Sequence, residues 1–480
     1  MKMKNILLTA VLSVVLVLTS CKTDEQYENF NRDPNNPTQV AADFLFNGAS
    51  KSLVDQMTQI NVNRNSFRFF AQTNTTTTYT DEPNFDLTTR TIPSYHWSEM
   101  YRDVLLDLTT AKDNALADAE LSAGEQAARV AQADILMVYC YQQMVDTFGD
   151  IPYSEAISDV TLPKYDDAAT IYADLIARVN AAIPDLSGSG FSAADQFYGG
   201  SSGAWVKLAN SLKVRLGIRL SDVNPSLAQS TVESAVSAGV FSSNADSAII
   251  HYEGATPNTN PVWVDLVQSG RADQIPSHTI TDFMNNLDDP RRMVYFDDNL
   301  GAGVYQGGAF GGTAAYAVHT HFGAALHEAT NPAALLDYTE VCFYLAEAAE
   351  RGWSVGGTAE EWYNNGIASS FDAWGASDLA TYMANPDVAY ATAPGTWKEK
   401  IGNQAWLAMF NRGFEGWTVW RKFDAPTTFS LPVDTSSPLP MRYTYPIDEQ
   451  NLNRTNWEAA IATFPGGEDT QQVKIFWDVN

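Results

Sequence analysis

Basic residues are scarce. Lys and Arg number 29 against 57 Asp and Glu, a formal net charge of −28 at pH 7. A field of that sign repels nucleic-acid phosphates and anionic lipid heads, so no nucleic acid is expected as a partner. Cysteine is nearly absent: three in 480 residues, Cys21, Cys140 and Cys342. Three thiols cannot build a disulfide framework, and neither Cys140 nor Cys342 has a histidine nearby in sequence that would make it a nucleophile. Both lie in apolar helical patterns and read as small buried hydrophobes. No apolar run reaches the ~20 residues of a membrane-spanning helix. The Walker loop, the dinucleotide fingerprint and H-E-x-x-H are missing, which removes the commonest nucleotide and zinc-protease readings. Nothing resembles a flexible linker, so the length predicts one large domain or two fused lobes.

What is present begins with the first residues. Lys2 and Lys4 form a basic head, and Ile6 to Leu18 is an uncharged apolar run. It reads as a signal peptide. The run ends in Leu18-Thr19-Ser20-Cys21, which resembles a lipobox: a branched apolar residue, two small residues, then the cysteine whose thiol takes the lipid. Residues 1–20 are then removed and 21–43 form a lipidated tether. Loss of Lys2 and Lys4 takes the charge from −28 to −30 (−28 minus 2). Several acyl chains, each methylene contributing ~0.8 kcal/mol when buried, make a stable lipid anchor. The acidic start of the tether, Asp24, Glu25 and Glu28, resembles the signal that sends some lipoproteins to the outer face.

From residue 44 to 480 the pattern is mainly α. Val130, Ala133, Met137, Tyr141, Met144 and Phe148 share one helical face, and Ser122 with Glu125 forms a capping box before them. Thr358 with Glu361 and Thr396 with Glu399 repeat the device, Gly375 supplies a stop, and Ser202 is placed as a cap before Trp205. Helices of similar size come in pairs and resemble tetratricopeptide-like units, with an irregular bundle as the competing reading. From about 240 to 331 the helical pattern fades into Gly, Asn, Asp and Pro, and Gly301 to Gly312 holds six glycines. Such an irregular segment on a rigid scaffold is where binding residues sit.

Five stretches carry a more specific resemblance: Phe148-Gly-Asp-Ile-Pro-Tyr-Ser-Glu-Ala156, Trp205-Val-Lys-Leu-Ala-Asn-Ser-Leu-Lys-Val-Arg-Leu216, Asp289-Pro-Arg-Arg292, Tyr363 to Gly375, and Tyr445-Pro-Ile-Asp-Glu-Gln-Asn451. With the lipobox, and in this order, they resemble the SusD-like (SusD/RagB) family of outer-membrane nutrient-binding lipoproteins. The resemblance implies a tetratricopeptide-like helical-pair scaffold with an irregular, loop-rich ligand-binding lobe. It also implies an oligosaccharide or peptide ligand and a SusC-like TonB-dependent transporter as partner. No catalytic residue, cofactor or metal is implied. The five stretches themselves read as architecture; Gly366, Ser369 and Ser370 leave room for a neighbouring helix.

Aromatic side chains, 12% of the sequence, are the candidate ligand contacts, because sugar C–H faces pack on flat rings. The candidates are Tyr79, Tyr95, Trp97, Trp263, Tyr305, Phe310 and Tyr316, together with His319. Two or three of the set are expected to be exposed, the others to be packing. His319, His321, His327 and Glu328 do not have standard metal-ligand spacing and read as polar contacts. Gly199-Gly-Ser201-Ser-Gly203 matches the hydrolase elbow, but Ala193 to Tyr198 is not the buried strand the elbow needs. The function expected is capture of a nutrient oligomer outside the cell; a surface glycoside hydrolase and a helical scaffold for protein partners are the alternatives.

Overall fold

The computed structural model describes residues 40–479. The signal sequence, Cys21 and nearly all of the tether lie outside them. Helices pair along the chain. Helix α1 (Ala42–Thr58) packs on α2 (Leu106–Ala117), α2 on α3 (Ala123–Phe148), and α3 on α4 (Ala168–Ala182). Helices α5 (Ser202–Arg219) and α6 (Pro225–Ala238) form the next pair, then α7 (Tyr338–Glu350) with α8 (Ala359–Trp374), and α9 (Trp397–Ala408) with α10 (Gly413–Phe423). Because α7 also touches α5 and α9, each pair covers the open face of the next, as in tetratricopeptide-like stacks.

Caps set the helix ends. All three predicted capping boxes form, at Ser122, Thr358 and Thr396, and Gly375 ends α8 in the left-handed region with φ 63°. One cap is corrected: Ser202 is the first residue of α5, and Ser201 precedes it without a side-chain cap bond. The turn before α5 is held by buried Asp195 instead, which accepts from Gly200 N at 2.9 Å and from the Trp205 indole at 2.7 Å. The G-x-S-x-G stretch is therefore a turn into a helix, preceded by the short helical turn Ser192–Ala194.

Small residues let helices touch. A Cβ on Gly366 would come within 2.8 Å of the Phe343 ring on α7, and Ser369 Oγ bonds Thr339 Oγ1 at 2.7 Å across the same interface. Charges are buried there too. Arg215 on α5 grips Glu340 on α7 through two bonds of 2.8 and 2.9 Å, while Arg219 reaches Glu415 on α10 at 3.2 Å and Asp146 on α3 at 3.4 Å. Burial pulls the Glu340 carboxyl up, but Arg215 and Arg412 outweigh it and hold the group below the usual range. At Glu415 burial wins and the shift is upward. Asp289 and Arg291, both fully buried, form a bidentate pair that also engages Ser370 and Gln404, as expected of architecture.

Between α6 and α7 lies the irregular lobe. Two two-stranded antiparallel sheets involve it: β1 (Asn74–Thr76) pairs with β5 (Gln274–Pro276), and β4 (Ala248–Ile250) with β6 (Ala333–Leu336), whereas β2 (Ile151–Pro152) and β3 (Tyr165–Asp166) pair in the connection between α3 and α4. The first sheet ties an early loop to the lobe, and the second ties the lobe to the start of α7. A helix, His278–Asn286, interrupts the segment expected to be irregular. Ser277 caps it, and Ile280 with Met284 supplies a buried stripe only two residues long, too short to stand out as a period. In the glycine run, Gly307 sits where a Cβ would be 2.4 Å from the Ser277 carbonyl. Only glycine permits that approach. The tail folds back rather than trailing: Tyr443, Tyr445 and Trp477 are buried, and the Trp477 indole donates to Asp146 at 2.7 Å.

Candidate functional site

The loop rings fall into two neighbourhoods. The first is organised by the turn at residues 61–64, which follows α1. Strand β5 holds this turn through Gln274, whose amide donates to Ile60 O, and pairing with β1 carries the chain from Thr76 toward Tyr79. Asn61 Nδ2 donates to Asp265 Oδ1 at 3.1 Å, and Asn63 Nδ2 donates to Asn61 Oδ1 at 3.0 Å. Arg64 lies 4.8 Å over the Tyr95 ring, and Arg90 lies 4.8 Å over the Tyr79 ring. Arg90 also pairs with Glu82 at 2.5 Å and Asp81 at 3.6 Å. Asp265 follows Trp263 by two residues, so the turn draws Tyr79, Tyr95 and the Trp263 segment into one polar strip.

Trp263 closes a short turn, Pro261–Trp263, capped by Asn260, whose side-chain oxygen accepts from Val262 N at 2.7 Å. Val262 takes the place in the core beside Ile60, and Trp263 belongs to none of the buried clusters or the side chains packed on them. Burial raises Asp265 to about 6 despite the hydrogen bond from Asn61. Burial and the neighbouring Glu99 push the Tyr95 phenol up to about 12.

The second neighbourhood is a short antiparallel clamp. Phe296 bridges Phe322, Asp297 N donates to His321 O at 3.0 Å, and Asn299 donates to His319 O and accepts from His321 N, both at 2.9 Å. Tyr316 stacks on His321 with centroids 3.8 Å apart. His319 Nδ1 donates to Ala315 O at 2.8 Å, His321 Nε2 to Tyr316 O at 3.0 Å, and His327 Nδ1 to Gly323 O at 3.1 Å. Each imidazole is thus committed to a backbone carbonyl of its own loop. The turn Ala324–His327 packs on both Pro261–Trp263 and Arg292–Tyr295, which links the two neighbourhoods without ring-to-ring contact.

The eight candidates separate by what surrounds them. Trp263, Tyr95 and Tyr316 are half-buried and stand off the hydrophobic clusters; His319 is half-buried beside Tyr316. Tyr79 and Trp97 are half-buried but packed against the main core, Trp97 among Tyr101, Phe148, Tyr165 and Tyr445. Two are corrected. Phe310 is 0% exposed and packs on Phe85, and Tyr305 is 6% exposed with its hydroxyl on Asp298 at 2.9 Å. Neither presents a ring face, because the glycines around them let the loop fold inward. The sequence reading missed the residues that position the rings: Asn61, Arg64, Asp265 and Asn299. Polar residues in loops carry no periodicity, so only the clustering of Asn61, Asn63 and Arg64 after a helix hinted at a built turn.

A family model described as starch-binding and associating with the outer membrane matches residues 34–446. The chain belongs to the SusD-like family. A solved chitin-binding protein is 27% identical to it, with a TM-score of 0.77, covering 92% of this chain and 100% of that one. A chitin-binding SusD homologue from Flavobacterium johnsoniae is 25% identical, with a TM-score of 0.77 and coverage of 91% and 99%. A SusD homologue from Bacteroides uniformis shares the fold at a TM-score of 0.78 and 24% identity, with coverage of 91% and 100%. A comparison with curated proteins finds no match. Among the described residues no helix of this SusD-like chain is long and apolar enough to cross a membrane.

Proposed function

We propose that this SusD-like chain is a lipoprotein that captures glycan chains at the cell surface and passes them to a SusC-like TonB-dependent transporter. On this reading residues 1–20 are cleaved, Cys21 carries the lipid, 21–43 are the tether, and 44–480 form one domain whose 240–331 segment bears the ligand face. The observation that carries the binding reading is the set of three half-buried rings standing off the core, Trp263 and Tyr316 in the 240–331 segment and Tyr95 on the adjoining helix Ile92–Ser98. The chitin-binding relatives, which share the fold along nearly their whole length, favour a glycan over a peptide.

Binding without bond cleavage is the simpler use of this geometry. The buried carboxylates Glu340 and Glu415 share the Tyr344 hydroxyl, an arrangement that superficially suits acid–base work. The recess that Glu415 lines holds only about 20 Å³, room for a water and not for a sugar. Retention of the mature protein on insoluble chitin and starch tests the proposal. Wild type should be retained and Trp263→Ala released, with no soluble sugar produced; release of reducing ends would favour the hydrolase. Cys21→Ala should leave the protein in the soluble fraction, and co-purification of a barrel with the acylated protein tests the transporter.

A further inference from the structure

Where the lobe meets the scaffold, the fold encloses a recess away from the loop rings. A cavity of about 290 Å³ lies between β4, β6, the start of α7, the end of α8 and the α9–α10 turn. None of Trp263, Tyr95 or Tyr316 lines it; Trp374, Ala373, Asn331, Asn411, Arg412 and Asp337 do. Trp374 is held by Tyr295, at a centroid distance of 4.6 Å, and by Phe410 at 6.0 Å. These contacts fix the indole as a rigid wall.

We propose that this cavity is a second sugar site, sized for one neutral monosaccharide unit. It rests on the glycan reading for its ligand class and goes beyond it in assigning a separate site. Three properties select the occupant. First, Asn411 lines the cavity and its Oδ1, sealed from solvent, accepts no hydrogen bond; rotation of the amide would turn this orphaned acceptor toward a hydroxyl donor in the cavity. Second, the one cation on the wall is already matched: Arg412 pairs with Asp337 at 3.1 Å and Glu340 at 2.5 Å, and donates to Leu335 O at 3.0 Å. No surplus positive charge is left for an acid or a phosphate, so the ligand is neutral. Third, an indole beside amides and a carboxylate suits a ring with an apolar C–H face and hydroxyls at its edge. The volume matches: at ~30 Å³ per water-sized portion, the space corresponds to roughly ten such portions, about one hexose ring with its hydration. A ligand of about a dozen heavy atoms in such a site binds with Kd on the order of 1 mM.

Saturation-transfer NMR on the mature chain, with free N-acetylglucosamine and glucose as probes, tests the site alongside chitin retention. Wild type should bind one of the two with Kd on the order of 1 mM. Ala373→Phe, at an exposed position of α8, should fill the cavity and weaken that binding by about tenfold or more while chitin retention stays unchanged. Asn411→Leu, which removes the orphaned acceptor, should do the same and carries the test if Ala373→Phe misfolds. Trp263→Ala should show the converse, losing chitin and keeping the monosaccharide. No monosaccharide signal from wild type that is retained on chitin, or a signal unchanged in both cavity variants, overturns the second site alone. Monosaccharide binding without any chitin or starch retention overturns the loop-face reading and leaves the cavity standing; absence of both overturns both.

Discussion

The contact between α7 and α8 can be tested by a single methyl group. Gly366 lies inside α8, and a Cβ there would stand 2.8 Å from Phe343 Cζ and 2.9 Å from both Cε atoms. Real Cβ contacts do not come so close, so the ring or the helix must move. Phe343 is buried against Tyr363 and Ile367, and has little room to give. Overpacking of this kind costs ~1–3 kcal/mol. Against that, replacing a helical glycine by alanine contributes ~0.8–1 kcal/mol through propensity. Gly366→Ala should therefore be neutral to destabilised by about 2 kcal/mol, while Gly366→Leu should be destabilised beyond it. Gly48 in α1 is the control: a Cβ there meets nothing within 4 Å, so Gly48→Ala should stabilise by ~0.5–1 kcal/mol. Urea unfolding of the variants reads the difference directly. If Gly366→Ala gains as much as Gly48→Ala, the close helix contact is not limiting and the reasoning fails.

Trp263→Ala should abolish glycan retention with an unchanged unfolding midpoint, whereas Trp97→Ala, which empties a place among four aromatic rings, should cost ~3 kcal/mol; retention assays and denaturation on both variants check this. Arg291→Met strands the Asp289 carboxylate in the core and should destabilise by ~3–5 kcal/mol, with part recovered in the Asp289→Asn, Arg291→Met double variant. Asp265 has a folded pKa raised to about 6, so folding favours its protonated form. Its contribution is most favourable below about pH 4 and is lost as pH rises through 6. Asp265→Asn should remove that slope, adding ~1–2 kcal/mol at pH 7 after allowance for partial exposure and little at pH 4, measured by denaturation across that window.

The scaffold was largely legible because its rules are local. A capping box needs only two residues three apart, and a buried helix shows its stripe over about five turns, as α3 does from Val130 to Phe148. The long-range partners were not legible. Arg215 and Arg219, set among leucines, look like a solvated edge in sequence, yet both are buried against Glu340, Glu415 and Asp146 from three other helices. Four-residue spacing of arginines on an otherwise apolar helix was the available signal. It cannot say which acids arrive from 125 or 196 residues away. The tail shows the same limit: nothing near Trp477 announces that its indole closes onto Asp146.

At the site, residue type alone could not sort platform from packing, because the neighbours make that decision. Val262 and Trp263 are adjacent and both apolar, but a turn capped by Asn260 gives the core place to the smaller one and leaves the indole outside. Phe310 and Tyr316 lie six residues apart in one glycine-rich loop. The first is drawn under Phe85 because the loop can fold tightly there, and the second is held out by a clamp that Asn299 closes. The residues that position these rings are thus asparagines and arginines that touch them or their neighbours. A substitution there, Asn299→Ala for example, should loosen the Tyr316–His321 stack without touching the ligand. Glycan affinity would then fall through lost preorganisation, and a rigid-ligand analogue would lose as much as a flexible one. If affinity is unchanged while the stack is lost by NMR, Tyr316 is not part of the binding face and Trp263 and Tyr95 carry it alone.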